Sequence, residues 1–200
     1  MKIVTATLIG KSPMSQSRAI QVAKETGESH DAYEQRTWRE RLHTDKGRVI
    51  VPASALKNML GDIAKFLGES IPGKGKATWT KHYEAGVMVV EPMVLNVATK
   101  DVQGERLFVP ASGKRGDGKR VWKTFPLIPE GWQGQAQFLV MDPQILGDLD
   151  MHAKDVAKSA FVRHLSHAGK FIGLGRFRPR NNGFYGRFAV DGIEISNVTE

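Results

Sequence analysis

Residues 48–68 read Arg48-Val-Ile-Val-Pro52-Ala-Ser-Ala-Leu56-Lys-Asn-Met-Leu60-Gly-Asp-Ile-Ala-Lys-Phe66-Leu-Gly68. The β-branched run from Arg48 to Val51 is a short strand. Beyond Pro52, the residues Leu56, Met59, Leu60, Ile63, Phe66 and Leu67 recur at three- and four-residue spacing, which is one face of an amphipathic helix. Proline at the mouth and Gly68 at the exit bound that helix. Upstream, Lys2 to Ile9 alternates and is rich in β-branched residues, so a first strand is expected there. Downstream, Lys74 to Lys81 is a Gly/Lys-rich connector, and Gly86 to Val97 reads as one strand bent at Pro92. Leu107 to Pro110 forms one arm of a ribbon, Ser112 to Arg120 its tip, and Val121-Trp122 the start of the return arm. Gln135 to Met141 is another strand. Met151 to His167 sets Ala157, Ala160, Phe161, His164, Leu165 and Ala168 on one helical face, with Gly169 just beyond. Tyr185 to Ile195 is a last strand, in which Asp191-Gly192 carries the signal of a hairpin turn.

The order strand, helix, strand, strand, helix, strand predicts an α+β fold, a ferredoxin-like βαββαβ sheet of the RNA-recognition-motif type. It forms a single domain over residues 1–200. Insertions at about 10–46 and 98–131 make a long loop, with an ordered piece at Tyr33 to Leu42, and a thumb-like ribbon. In that topology two helices cover one sheet face and leave the other free, which is how RNA-recognition domains present a nucleic-acid platform.

The 200 residues are 40% hydrophobic with 21 glycines, which excludes a disordered or collagen-like chain. The longest nearly uncharged apolar run, Gly86 to Val90, falls far short of the roughly 20 residues of a membrane span, and no signal-peptide core precedes Lys11. No membrane partner is expected, and the chain reads as cytoplasmic. The absence of Cys excludes disulfides and thiolate chemistry. The 29 Lys and Arg against 21 Asp and Glu give a net charge of +8, which favours a polyanionic partner.

Three basic clusters locate that charge. Between Gly173 and Phe188, Arg176, Arg178, Arg180 and Arg187 follow Lys170 with no acid between them, beside Asn181, Asn182 and the aromatic residues Phe177, Phe184 and Tyr185. Glycines there would let the backbone approach a ligand, while cations neutralise phosphates and aromatic rings stack bases. The other reading of the same residues is a Gly-rich turn with solvated arginines. A second cluster, Lys114, Arg115, Lys119, Arg120 and Lys123, sits on the ribbon tip and could wrap a strand or serve only solubility. The third, Arg36, Arg39 and Arg41 with His43, precedes the helix and has Glu34, Glu40 and Asp45 nearby as surface partners.

Neither a metal nor a cofactor is expected. The six histidines show no ligand spacing, and His164 falls on an apolar helical face, as a packed core residue does. The glycine spacing does not open a helix after a strand, so a dinucleotide-binding reading fails.

Val49 to Leu60 resembles the signature at the first helix of the RAMP superfamily, which in backbone subunits of CRISPR effector complexes runs approximately I-P-G-S-S-L-K-G. Here Ala53 and Ala55 replace Gly and Ser, and Asn58 replaces Gly. The Gly/Arg stretch from Gly173 is similar to the superfamily's glycine-rich loop, and the Ser112 to Arg120 insertion sits where those subunits carry a thumb. The resemblance implies a non-catalytic subunit that holds single-stranded guide RNA, stacks with copies of itself and contacts other effector subunits. Ser54 and Lys57 would then lie at the guide-contacting helix mouth. A small solitary or phage-encoded relative is also compatible with the resemblance. One relative class cleaves bound RNA with an aspartate in a D-x-x-x-x-R context, which Asp31 to Arg36 matches in spacing. A second, the repeat-processing endoribonucleases, would recruit His30 or His43. The expectation here is binding without cleavage. The alternatives are a phage-type single-stranded DNA-binding or annealing protein and a mimic that inhibits CRISPR complexes by binding their subunits.

Overall fold

Val4, Ala6 and Leu8 are fully buried on one side of the first strand, and this alternation sets which face of the main sheet is packed. The computed structural model describes residues 1–113, 116, 118–142, 145 and 159–198. Its strands are β1 (Lys2–Gly10), β2 (Met14–Ser15), β3 (Thr44–Asp45), β4 (Arg48–Val51), β5 (Val87–Met88), β6 (Met93–Ala98), β7 (Gln103–Pro110), β8 (Arg120–Ile128), β9 (Gln133–Val140) and β10 (Phe188–Asn197). Its helices are α1 (His30–Thr37), followed by a 3-10 turn at Trp38–Arg41, then α2 (Ala53–Leu67), α3 (Thr80–Gly86) and α4 (Ala160–Phe171). The main sheet is antiparallel in the order β10-β1-β9-β6-β4-β3, with β5 also paired to β9. A second sheet has the order β2-β8-β7. The molecule is thus α+β with antiparallel sheets. Among the described residues, no helix is long and apolar enough to cross a membrane.

α2 begins just after Pro52 and ends at Gly68, whose φ of 56° makes the left-handed cap. Its buried stripe, Leu56, Met59, Leu60 and Ile63, packs in one core with Phe161, Leu165 and Ala168 of α4 and with Val4, Leu8 and Phe138 of the sheet. Burying side chains of this size contributes about 1.5–3 kcal/mol each, which makes this layer the main support of the fold.

Several expectations need correction. The strand expected over Gly86 to Val97 is divided: β5 and β6 both lie against β9, Val87 opposite Val140 and Leu95 opposite Gly134, with the Pro92 break between them. Between the connector expected over Lys74 to Lys81 and that strand lies a helix the sequence does not signal, α3, which takes in the last two connector residues and has a buried Tyr83 at its centre. The second helix runs on to Phe171, while residues 151–158 of the expected span lie outside the described residues. Gly169 is inside that helix because β10 presses on it: a Cβ there would meet the Phe188 carbonyl oxygen at 2.1 Å. Asp191-Gly192 makes no hairpin. β10 continues, Thr7 faces Gly192 and Leu8 faces Val190, so Asp191 is the extra residue of a bulge.

Only three residues, Lys11, Ser12 and Pro13, carry the chain from the end of β1 to the start of β2 in the other sheet. All three are held by the loop before β10. Lys11 N–H donates to the Arg187 carbonyl, Ser12 Oγ donates to the Phe184 carbonyl and accepts from Arg187 N–H, and Gly186 N–H donates to the Pro13 carbonyl.

Candidate nucleic-acid interface

The Gly173 to Arg187 loop folds around its own backbone. Gly186 has a φ of 72°, and a Cβ there would meet the Leu174 carbonyl oxygen at 1.8 Å, while Leu174 N–H donates to the Gly186 carbonyl at 2.9 Å. The space that this glycine opens is filled by protein, which corrects the expectation that the loop's glycines admit a ligand. The loop also caps the second sheet: Arg176 N–H donates to the Ser15 carbonyl at 2.6 Å.

With the loop fixed, the Arg176 guanidinium lies between two rings, 3.4 Å from the centroid of Phe125 on β8 and 3.8 Å from that of Phe177. Burial pushes its pKa down to about 10, so it stays charged at neutral pH. Its Nη1 and the Oε2 of Glu105 are shielded from solvent and have no hydrogen-bond partner among the described residues. The other Glu105 oxygen accepts from the Tyr185 hydroxyl at 2.7 Å, and burial together with that bond pushes the phenol up to about 12. On β8, Phe125 also carries Arg41 at 5.0 Å. Arg41 is clamped by both oxygens of the buried Glu34, at 2.7 and 3.0 Å, and donates to the Thr124 carbonyl.

A cleft of about 1330 Å³ opens above this floor. One wall is the mouth of α2, with Pro52, Ser54, Ala55 and Asn58; the opposite wall is the ribbon, with Val109, Arg120, Lys123 and Phe125. The loop supplies Arg176, Phe177, Arg178 and Asn181, and the segment after β1 supplies Gln16 and Ser17. Arg120 and Lys123 hydrogen-bond the carbonyls of Phe108 and Ala111 and have no carboxylate partner among the described residues. Both line the cleft. Arg178, by contrast, donates to Asp62 of α2 at 3.0 Å, and Arg180 stands 4.0 Å from the same carboxylate.

The structure therefore brings Arg41, Ser54, Arg120, Arg176, Arg178 and Asn181 to one place from stretches far apart in sequence. Other expected site residues go elsewhere. Arg36 forms a two-point ion pair with Glu28 at 2.9 Å, and Arg39 lies exposed over Trp38 at 4.2 Å. Lys57 is not at the helix mouth; its ammonium caps α3 by donating to the carbonyls of Tyr83, Glu84 and Val87, and burial lowers its pKa. Arg187 donates to the Lys170 carbonyl at 2.8 Å, Asn182 is a left-handed turn residue, and Tyr185 is buried. Lys119 is exposed on the ribbon, and Lys114 and Arg115 lie outside the described residues. Asp31, in the first turn of α1, pairs with Arg106 at 2.9 Å and does not line the cleft.

Two groups were missed. Gln16 is buried at the cleft edge, accepting from His43 N–H and donating to the Ile50 carbonyl, both at 2.8 Å, so it staples the excursion after β1 to β4. The second is Phe125, which stacks on Arg176, with Glu105, which accepts from Tyr185. Their only signal was ordinary strand alternation. The open face of the main sheet carries Thr5, Thr7, Gln133, Gln135, Gln137 and Asn96, without an aromatic or basic side chain on β1, β6 or β9. The cations and rings gather at the cleft instead.

No family model matches the chain, and no curated protein matches it in sequence. Among solved structures, it is similar to a chain from the cryo-EM structure of the type III-B Cmr-beta complex bound to cognate target RNA. The match has 13% identity and a TM-score of 0.51, and covers 99% of this chain and 61% of that one, so the likeness is one of fold.

Proposed function

We propose that this protein is a single-stranded nucleic-acid-binding subunit, most suited to guide RNA in a CRISPR-type effector assembly, that holds a strand in the cleft without cutting it. The observation that carries this reading is the convergence of the α2 mouth, the Arg-rich loop and the ribbon on one cleft with a cationic wall and the exposed ring of Phe177. Arg120 and Lys123 neutralise backbone phosphates, and the exposed ring of Phe177 stacks a base. Ser54, Asn58 and Asn181 add hydrogen bonds that fix the path of the backbone.

The strand order supports a ferredoxin-like reading of the fold, since β9 lies between β1 and β6, the split arrangement of a βαββαβ unit. The likeness to a chain of an RNA-bound complex supports the choice of RNA and of a multi-subunit setting. Copies of the same chain and other effector subunits are the protein partners of this proposal, and it places the protein in the cytoplasm.

Fluorescence anisotropy with single-stranded RNA, single-stranded DNA and duplex, at several salt concentrations, tests it. Tightest binding to single-stranded RNA, weakening with salt, is the expected result. A preference for DNA would turn the reading toward a phage-type DNA-binding or annealing protein. No nucleic-acid binding, with tight binding to effector subunits, would turn it toward an inhibitor.

A further inference from the structure

Outside the cleft, Phe66 at the end of α2 and Phe171 at the end of α4 stack on one another, ring centroids 5.5 Å apart and planes 26° apart. Both rings are about half exposed, at 56% and 45%, which is unusual for the apolar faces of two core helices. The pair is joined to the cleft. Asn58, Asp62 and Phe66 succeed one another at single-turn spacing on α2, so about 12 Å of helix axis separates the cleft-lining Asn58 from the ring of Phe66. On that path Asp62 holds Arg178, which lines the cleft, and faces Arg180. Arg180 N–H in turn donates to the Ile172 carbonyl, next to Phe171. Exposed Lys170 precedes Phe171, and the nearby acids Asp62 and Glu84 are both engaged in ion pairs. Stacked aromatic rings beside cations, continuous with a cationic cleft, suit a nucleobase better than an aliphatic protein surface.

We propose that Phe66 and Phe171 form a second stacking platform that takes the bases of a single strand as it leaves the cleft past Arg178 and Arg180. This rests on the single-strand reading above. The platform makes affinity depend on strand length: a strand long enough to pass the Asp62 shoulder gains stacking that a short one cannot reach.

The test uses oligouridine strands of about 4 and about 16 nucleotides, bracketing the site sizes of sequence-tolerant single-strand binders, with wild type and the Phe66→Leu/Phe171→Leu variant. Leucine keeps the apolar bulk and removes the aromatic face. The expected result is unchanged affinity for the short strand and about 5- to 100-fold weaker binding of the long one. The unchanged short-strand affinity also reports that the variant is folded. Equal affinity of variant and wild type for the long strand would overturn the platform while leaving the cleft reading intact, whereas wild type that binds neither strand would overturn both. Photo-crosslinking with 5-iodouridine strands is expected to mark Phe66 or Phe171, and crosslinks confined to the cleft would overturn the platform. Self-association of the wild type without nucleic acid, abolished in the variant, would assign the patch to a protein contact and overturn it as well.

Discussion

The guanidinium of Arg176 and the ring of Phe125 stack at 3.4 Å, and this contact joins the Arg-rich loop to the ribbon sheet. Phe177 closes the stack from the other side at 3.8 Å, so the cation is held by two flat faces that an ammonium cannot match. Arg176→Lys should lower the unfolding free energy by about 1–2 kcal/mol, read as a shift of the urea midpoint at constant slope. An unchanged midpoint would show that the sandwich contributes nothing.

Charges that face the cleft should govern the salt dependence of binding. Arg120→Ala and Lys123→Ala should each reduce the slope of log affinity against log salt by about one, with little change in sequence preference. Arg36→Ala, whose partner is Glu28, should leave the slope alone. Equal effects at all three positions would mean that net charge, rather than the cleft, attracts the strand.

Acid should destabilise the protein in two stages. His164 is fully buried, and burial holds its pKa below the ordinary value despite the 2.6 Å contact between Nε2 and Glu69. The unfolded chain therefore takes up this proton first, so stability is complete above about pH 6.5 and falls as pH drops through that value. Glu69 is held low by Arg163 and, after it, His164, so its contribution is present above the ordinary carboxylate range and fades below it. Denaturant titrations should show a smaller loss between pH 7 and about 5 in His164→Gln. Glu69→Gln should flatten the part below about pH 4.5. His43, also lowered by burial, keeps some of the first stage in both variants.

RNA bound to the protein should stay intact in magnesium or manganese. Asp31 is paired with Arg106 and stands outside the cleft. A gel assay over hours with end-labelled strands checks this. Regular metal-dependent cuts that vanish in Asp31→Ala would make the subunit a nuclease.

Local signals carried part of this structure and long-range contacts the rest. The apolar spacing of α2 and its Pro and Gly bounds could be read directly, because a core-facing helix of that length leaves its period in the sequence. Asp191-Gly192 misleads because a tight turn and a bulge favour the same small polar residues, and only the register against Thr7 and Leu8 decides between them. Lys57 sits within a recognisable motif, yet its partners are carbonyls from Tyr83 onward, on a helix with no strong period of its own. Gln16 and His43 lie in a stretch without periodicity, and what places them is one buried amide side chain bridging to β4. The loop arginines were legible as a group, but their sorting was not: Asp62 takes Arg178, two phenylalanines take Arg176 and a helix-end carbonyl takes Arg187.

Lys11, Ser12 and Pro13 are where a hinge between the two sheets would be sought, and each is pinned by the loop that also floors the cleft. With all three pinned, the two sheets are set like a caliper locked at one opening, and the same spacing is expected with and without a bound strand. Lengthening the chain between Ser12 and Pro13 would loosen that lock.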